Sequence, residues 1–280
     1  MWMRRIAAAI ITAVGAVDAL AQSAPEPPGI GEVMRAVPSD VVAELAPSRQ
    51  LRAAINFGNS VLAQRDPASG QPTGVSVDLA RELGRHLGVP VEIVAYEAAA
   101  KVVDALKAGA WDMAFLANDP ARATEIAFTG PYLLIEGGYL VPASSPLQRI
   151  EDVDRAGVRI AAGKGSAYDL YLSRTLKQAQ LVHAPTSPGA IELFLDEKLD
   201  AVAGVKQQLL AFAKTHPDVH VLEGRFMAIE QAMGTPKGRD AGARYLREFV
   251  EDVKASGFVA EALERSGQTD ATVAPRSPVD

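Results

Sequence analysis

Strand-like apolar runs alternate with helix-period segments along most of this chain, and that alternation limits the fold more than any other feature. Residues 51–57 (LRAAINF) form an apolar, strand-like run. After a loop rich in Gly, Pro and Asp, residues 75–87 (VSVDLARELGRHL) repeat apolar side chains at helical spacing through Val77, Ala80, Leu83 and Leu87. Gly88 and Pro90 then supply a stop signal. Residues 91–96 read as a strand, 99–108 as a helix ended by Gly109, 112–116 (DMAFL) as a short buried strand and 139–142 (YLVP) as another. The same grammar continues with a strand over 158–162, a glycine turn at 163–166 (GKGS), a helix over 168–176 and a short strand at 181–183. A helix over 188–196, a strand over 200–204 (DAVAG) and helices over 206–214, 239–253 and 258–263 complete it. Alternation at this spacing implies α/β units with mainly parallel sheets.

Residues 106–115 (LKAGAWDMAF) and 195–203 (LDEKLDAVA) echo one another as helix end, tight turn, Asp and apolar strand. Two similar lobes would produce this echo, and so would chance within α/β grammar. Residues 139–143 are the natural first crossing between lobes and 226–232 a possible return, which would build the first lobe from both ends of the chain. The expected layout is lobe 1 over 51–142 and 232–268 and lobe 2 over 143–231.

The N-terminus has the three-part form of an export signal. Arg4 and Arg5 precede an apolar run over 6–17 (IAAAIITAVGAV) and a small-x-small pattern at Ala19-Leu20-Ala21. The run is shorter than the roughly 20 residues a membrane-spanning helix needs. Asp18 departs from the pattern, and a buried N-terminal helix is the alternative reading. The expectation is a signal peptide over 1–21, cleaved after Ala21 or Ala24, and a secreted, periplasmic product with no membrane insertion. Residues 22–50 read as a linker, Pro-rich over 22–30 (QSAPEPPGI), with one or two helical turns within 32–45 interrupted by Pro38. Residues 269–280 carry two prolines and read as a flexible tail.

Composition removes whole classes of chemistry. The 280 residues include no Cys, which excludes disulfides, thiol nucleophiles, iron–sulfur clusters and Cys-based zinc sites. With 28 basic and 34 acidic residues, the net charge of −6 argues against a broad nucleic-acid surface. The four histidines, His86, His183, His216 and His220, lack metal-ligand spacing, and Pro217 breaks any helix between the last two. Gly-x-Ser-x-Gly is absent, and Gly163-Lys164-Gly165 has neither the dinucleotide-binding nor the Walker spacing. No cofactor or metal is expected.

Three segments together, in order and spacing, carry a family resemblance: 74–80 (GVSVDLA), 106–112 (LKAGAWD) and 122–132 (RATEIAFTGPY). Over about residues 51 to 267 the chain resembles the bacterial extracellular solute-binding proteins of the amino-acid (family 3) type, whose pattern for the last segment reads R-x-x-x-I-x-F-S/T-x-P-Y. The resemblance implies an α/β, two-lobed periplasmic-binding-protein fold (type II), with hinge-linked lobes around a central cleft. It implies a substrate-binding protein of an ABC importer that closes on a small carboxylate-bearing solute, an amino acid or an organic acid, and delivers it to a membrane ABC permease. The chain is expected to act as a monomer. Some relatives of this fold are dehydratases, so an enzyme acting on a small carboxylate is the alternative.

The resemblance also assigns a ligand-binding set. Arg122 stands where the family grips the ligand carboxylate, and its guanidinium fork suits that partner; the alternative is an exposed helix arginine beside Glu125. Phe115, Ala117 and Asp119 lead from a strand end toward it, where ligands of open α/β sheets sit. Ala117 replaces the family's usual hydroxyl residue and leaves only its backbone N–H. Ser166, Ala167 and Tyr168 follow the glycine turn at a helix start that favours an anion, with Ala167 in place of a usual second hydroxyl; a plain N-cap is the alternative for Ser166. Val205 stands where amino-acid binders place the acid for the ligand ammonium, which favours a ligand lacking that group. In the loop after the first strand, Asn59 and Ser60 occupy the site region, with Ser60 at the family's stacking-aromatic position. Phe57 and Phe115 could supply an apolar wall or be ordinary core. Asp119 or Glu136 could stand in for the missing acid.

Overall fold

The computed structural model describes residues 36–278. The expected signal peptide and the first part of the expected linker lie outside the described residues. In chain order the elements are α1 (Ser39–Leu45), β1 (Leu51–Asn56), a short hairpin of β2 (Gln64–Arg65) and β3 (Pro72–Thr73), α2 (Val75–Leu87), β4 (Val91–Tyr96), α3 (Ala99–Leu106) and β5 (Met113–Ala117). Then follow β6 (Ile126–Pro142), β7 (Arg159–Gly163), α4 (Ala167–Thr175), β8 (Gln180–Ala184), α5 (Ser187–Asp196), β9 (Ala201–Val205) and α6 (Lys206–Ala213). Last come β10 (Val219–Val221), β11 (Met227–Pro236), α7 (Asp240–Ala255), α8 (Phe258–Arg265) and β12 (Thr272–Val273).

The local reasons are those read in the sequence. In α2 the apolar positions Val75, Leu79, Ala80, Leu83 and Leu87 turn inward and are buried. Gly88, at φ 66°, takes the left-handed conformation that ends the helix, and the Val89 N–H donates back to the Gly84 carbonyl. The alternation becomes one continuous sheet of order β4-β1-β5-β11-β6-β9-β7-β8. At one end β4, β1 and β5 run parallel, and at the other β8, β7 and β9 run parallel. Between them β11 and β6 run antiparallel to each other and to the flanking strands, so both α/β halves hang on these two strands. One core cluster in the first half gathers Ala54, Val102, Trp111, Ala114, Leu116 and Ile126, and the Trp111 indole N–H donates to the Val102 carbonyl at 2.9 Å. In the second half Leu140, Ala161, Phe194, Val202 and Leu209 form a counterpart. Each such large side chain contributes about 1.5–3 kcal/mol through burial.

Three expectations need correction. The strand read over 139–142 is the end of the 17-residue β6. Pro131 and the glycine pair Gly137-Gly138 hide the rest of it in the sequence, because proline lacks a ladder donor and glycine weakens a strand. The structure accommodates Pro131 where its pairing with β11 shifts register, between Gln231 and Ala232. The linker expectation fails for the described residues of that stretch: Val41 and Leu45 of α1 are buried, Gly242 N–H of α7 donates to the Glu44 carboxylate at 2.7 Å, and Arg239 donates to the Glu44 carbonyl at 2.8 Å. An apolar pair four residues apart docks this short helix, and its acid serves the start of α7. The expected flexible tail is held as well. Thr272 and Val273 pair with Leu134 and Leu133 of β6, Ala274 is buried, and the Ser277 N–H donates to Glu251 at 3.2 Å. Backbone pairing to the edge offered by β6 outweighs the fraying expected from proline content.

Candidate functional site

The carboxyl ends of the parallel strands in both halves point at one place. β1 ends at Asn56, β5 at Ala117 and β9 at Val205, and all three residues line a cavity of about 40 Å³. Arg122 enters it from the 3-10 turn after β5 (Arg122–Thr124), a short turn that brings the side chain back toward the strand end. The residue is 4% exposed. Its Nη1 donates to the Ala117 carbonyl at 2.9 Å and its Nη2 to the Gly165 carbonyl at 2.8 Å, so one guanidinium spans both halves. Its Nε has no hydrogen-bond partner. Burial lowers the pKa of this guanidinium to about 10 against the opposing effect of Asp119, and the group stays cationic at neutral pH.

The turn across from it is built by Asp169. Its carboxylate accepts the Gly165 N–H at 2.7 Å and pairs with His183 at 2.7 Å, and Ser166 Oγ accepts the Asp169 N–H at 3.1 Å to cap α4. Gly165, at φ 68°, has a backbone conformation that side chains avoid, and a Cβ there would lie 2.8 Å from the Ala100 Cβ of α3. The two halves therefore meet across a gap that only glycine leaves open. Tyr168 is buried with no hydrogen bond of normal geometry to its hydroxyl. Burial raises its pKa, partly offset by the hydroxyls of Ser187 and Ser166.

Of the residues singled out in the sequence, the structure brings Arg122, Ala117, Phe115, Ser166, Ala167, Tyr168, Asn59 and Val205 to this cavity. It places four elsewhere. Asp119 turns away: it accepts the Ala121 N–H at 2.9 Å and pairs with Arg174 at 2.8 Å, a bridge from the loop after β5 to α4. Phe57 lies outside the lining, under the Arg65 guanidinium, whose central carbon sits 4.8 Å from the ring centroid. Ser60 is outside too and acts through Gln208, whose Nε2 donates to Ser60 Oγ at 3.0 Å. Glu136 is held by Lys206 and Arg225, each at 3.0 Å, in a separate surface depression.

The cavity also takes Asn56, Leu62, Ala99, Ser187, Gln208, Ile229 and Gln231, which the sequence reading did not select. Ser187 was within reach, because Thr186-Ser187-Pro188 is a helix-start signal following a strand. Gln208 and Gln231 carried no motif. Among the described residues no cluster of His, Asp or Glu could hold a metal ion, and no helix is long and apolar enough to cross a membrane.

The family model described as "Bacterial extracellular solute-binding proteins, family 3" matches residues 62–268. The solute receptor for L-cysteine of Neisseria gonorrhoeae superposes with a TM-score of 0.71 at 22% identity, over 80% of this chain and 92% of its own. An amino acid ABC transporter substrate-binding protein of Streptococcus pneumoniae, bound to L-arginine, gives 0.70 at 20% identity over 80% of this chain and 97% of its own. An ancestral amino-acid-binding protein, a precursor of cyclohexadienyl dehydratase, gives 0.67 at 21% identity over 80% and 98%. The fold is therefore the two-lobed α/β fold of periplasmic binding proteins.

Proposed function

The chain belongs to family 3 of the bacterial extracellular solute-binding proteins, and from that premise we propose that it is the periplasmic substrate-binding protein of an ABC importer. It holds a small carboxylate-bearing solute between its lobes. The observation that carries this reading is the placement of Arg122: a buried guanidinium on the first half, bonded across to the second, with Nε still unpartnered. A carboxylate on that fork gains charge-assisted hydrogen bonds shielded from water. Contacts from Ser166 and its turn exist only when the halves are together, so the solute shifts the population toward the closed form that a permease recognises. Lobe 1 is assigned to 51–142 and 232–268 and lobe 2 to 143–231, and residues 1–21 to the export signal. A thermal-shift screen of amino acids and organic acids tests the reading, because a bound solute raises apparent stability. Saturable stabilisation that Arg122→Ala abolishes supports it, and no stabilisation by any carboxylate refutes it.

An enzyme on the same fold is the second reading, kept in view by the dehydratase precursor among the structural neighbours. Among the described residues the cavity lining contains no Asp, Glu or His to move a proton, and Tyr168 has its pKa raised by burial. Consumption of the stabilising ligand over hours would establish that second reading.

A further inference from the structure

We propose that the cavity selects a short monocarboxylate without an ammonium group and excludes zwitterionic α-amino acids by charge. This inference rests on the solute-binding reading above and names the solute class of that same site.

Four helices direct their N-termini at the cavity. Ala99, Ala167 and Ser187 are the first residues of α3, α4 and α5, Val205 immediately precedes α6, and all four line it. The starts of α3 and α6 have no side-chain cap, so no side-chain oxygen takes up their first backbone N–H groups. Helix N-termini carry partial positive charge and favour anions. Arg122 adds a full positive charge, 4% exposed, with its Nε unpartnered. Nothing in the lining answers it with the opposite sign, since the other polar residues there are amides and hydroxyls. The nearby acids are engaged elsewhere: Asp119 by Arg174, Glu136 by Lys206 and Arg225, and Asp169 by the Gly165 N–H and the His183 ring.

An ammonium brought into this site loses its water and meets neutral amide and hydroxyl oxygens beside the positive ends, with no carboxylate to balance its charge. A hydroxyl or keto oxygen in the same position meets N–H and O–H donors instead. Size points the same way. A cavity of about 40 Å³ is a few times the roughly 10–15 Å³ that one water occupies by the same measure, which suits an acid of a few carbons. The apolar walls from Phe115, Ile229 and Val205 suit its alkyl end.

The test is calorimetric titration of the purified protein with matched pairs: L-lactate and pyruvate against L-alanine, glycolate against glycine, and 2-hydroxybutyrate against 2-aminobutyrate. Within a pair, size and carboxylate are conserved while the ammonium is exchanged. The expected result is a preference of about a hundredfold or more for the acid lacking the ammonium. If alanine or another of these amino acids binds as tightly as its partner, and Arg122→Ala abolishes that binding, the charge exclusion is overturned while the carboxylate-binding reading stands. If neither member of any pair binds, the reading and this inference fall together.

Discussion

Arg122 Nη2 and the Gly165 carbonyl oxygen are 2.8 Å apart, and this one hydrogen bond joins a turn after β5 to the turn before α4. The same guanidinium reaches the Ala117 carbonyl on its own side. Arg122→Ala removes both bonds and, among the described residues, the only side-chain cation in the cavity lining. Losing one partner of a buried, charge-assisted pair costs about 2–5 kcal/mol, so carboxylate affinity should fall at least about thirtyfold. Arg122→Lys retains the charge without the fork and should fall between the two. Calorimetric titration of the three proteins checks the order, and equal affinity in the Ala variant would remove Arg122 from the site.

Gly165 makes a second prediction. Gly165→Ala forces a Cβ to within 2.8 Å of Ala100 at a φ of 68°, whereas Gly238, at φ 88°, has open space where its Cβ would be. Both substitutions carry the backbone penalty of about 1–2 kcal/mol. Only the first adds a clash between the halves. Gly165→Ala should therefore enlarge the radius of gyration in solution scattering and weaken ligand binding, while Gly238→Ala lowers the melting temperature alone. Matching scattering curves for the two variants would show that Gly165 does not limit closure.

Asp112 predicts a pH dependence. It is fully buried, bonded by Arg52 at 2.8 and 2.9 Å and by Arg239 at 3.1 Å. Burial alone would raise its pKa, but the hydrogen bonds from Arg52 and Arg239 prevail and the net shift is downward. A carboxylate depressed in the folded state contributes stability that is complete above its unfolded pKa of about 4 and is lost as pH falls through the folded value. Asp112→Asn should cost about 3 kcal/mol near neutral pH, with a difference from the parent protein that shrinks below about pH 4. Urea unfolding across pH 3–7 measures it, and a constant difference would assign the stabilisation to packing.

The elements with clean periodicity were legible in the sequence. The bounds of α2 and β4 coincide with the expected ones because their apolar spacing, the Gly88 stop and Pro90 agree with one another. β6 was not legible, because its middle depends on a register shift with β11, a partner about a hundred residues away. The helical turns of α1 fall within the expected stretch, but its docking and that of the tail were not legible for a related reason: they are held by groups on β6 and α7, and nothing local to residues 36–50 or 269–278 announces those contacts. Arg122 was found because a motif surrounds it. Gln208 was not, because its place on the cavity wall comes from α6 following β9 across the sheet from the loop it touches.

Gln208 offers the sharpest test of charge in the cavity. It lines the wall and donates through Nε2 to Ser60 Oγ at 3.0 Å, with the Gly58 carbonyl at 3.5 Å. Gln208→Glu is nearly isosteric, and the new carboxylate can accept a hydrogen bond from the Ser60 hydroxyl in place of donating one. It places a negative charge where the lining has none, opposite a buried cation and four helix N-termini. A second anion in the cavity opposes a bound carboxylate, while an ammonium gains the counter-charge it lacked. Lactate affinity should fall and alanine affinity rise, moving their ratio by about tenfold or more toward the amino acid. A ratio that stays fixed while both affinities drop would mean that shape, not charge, sets the preference.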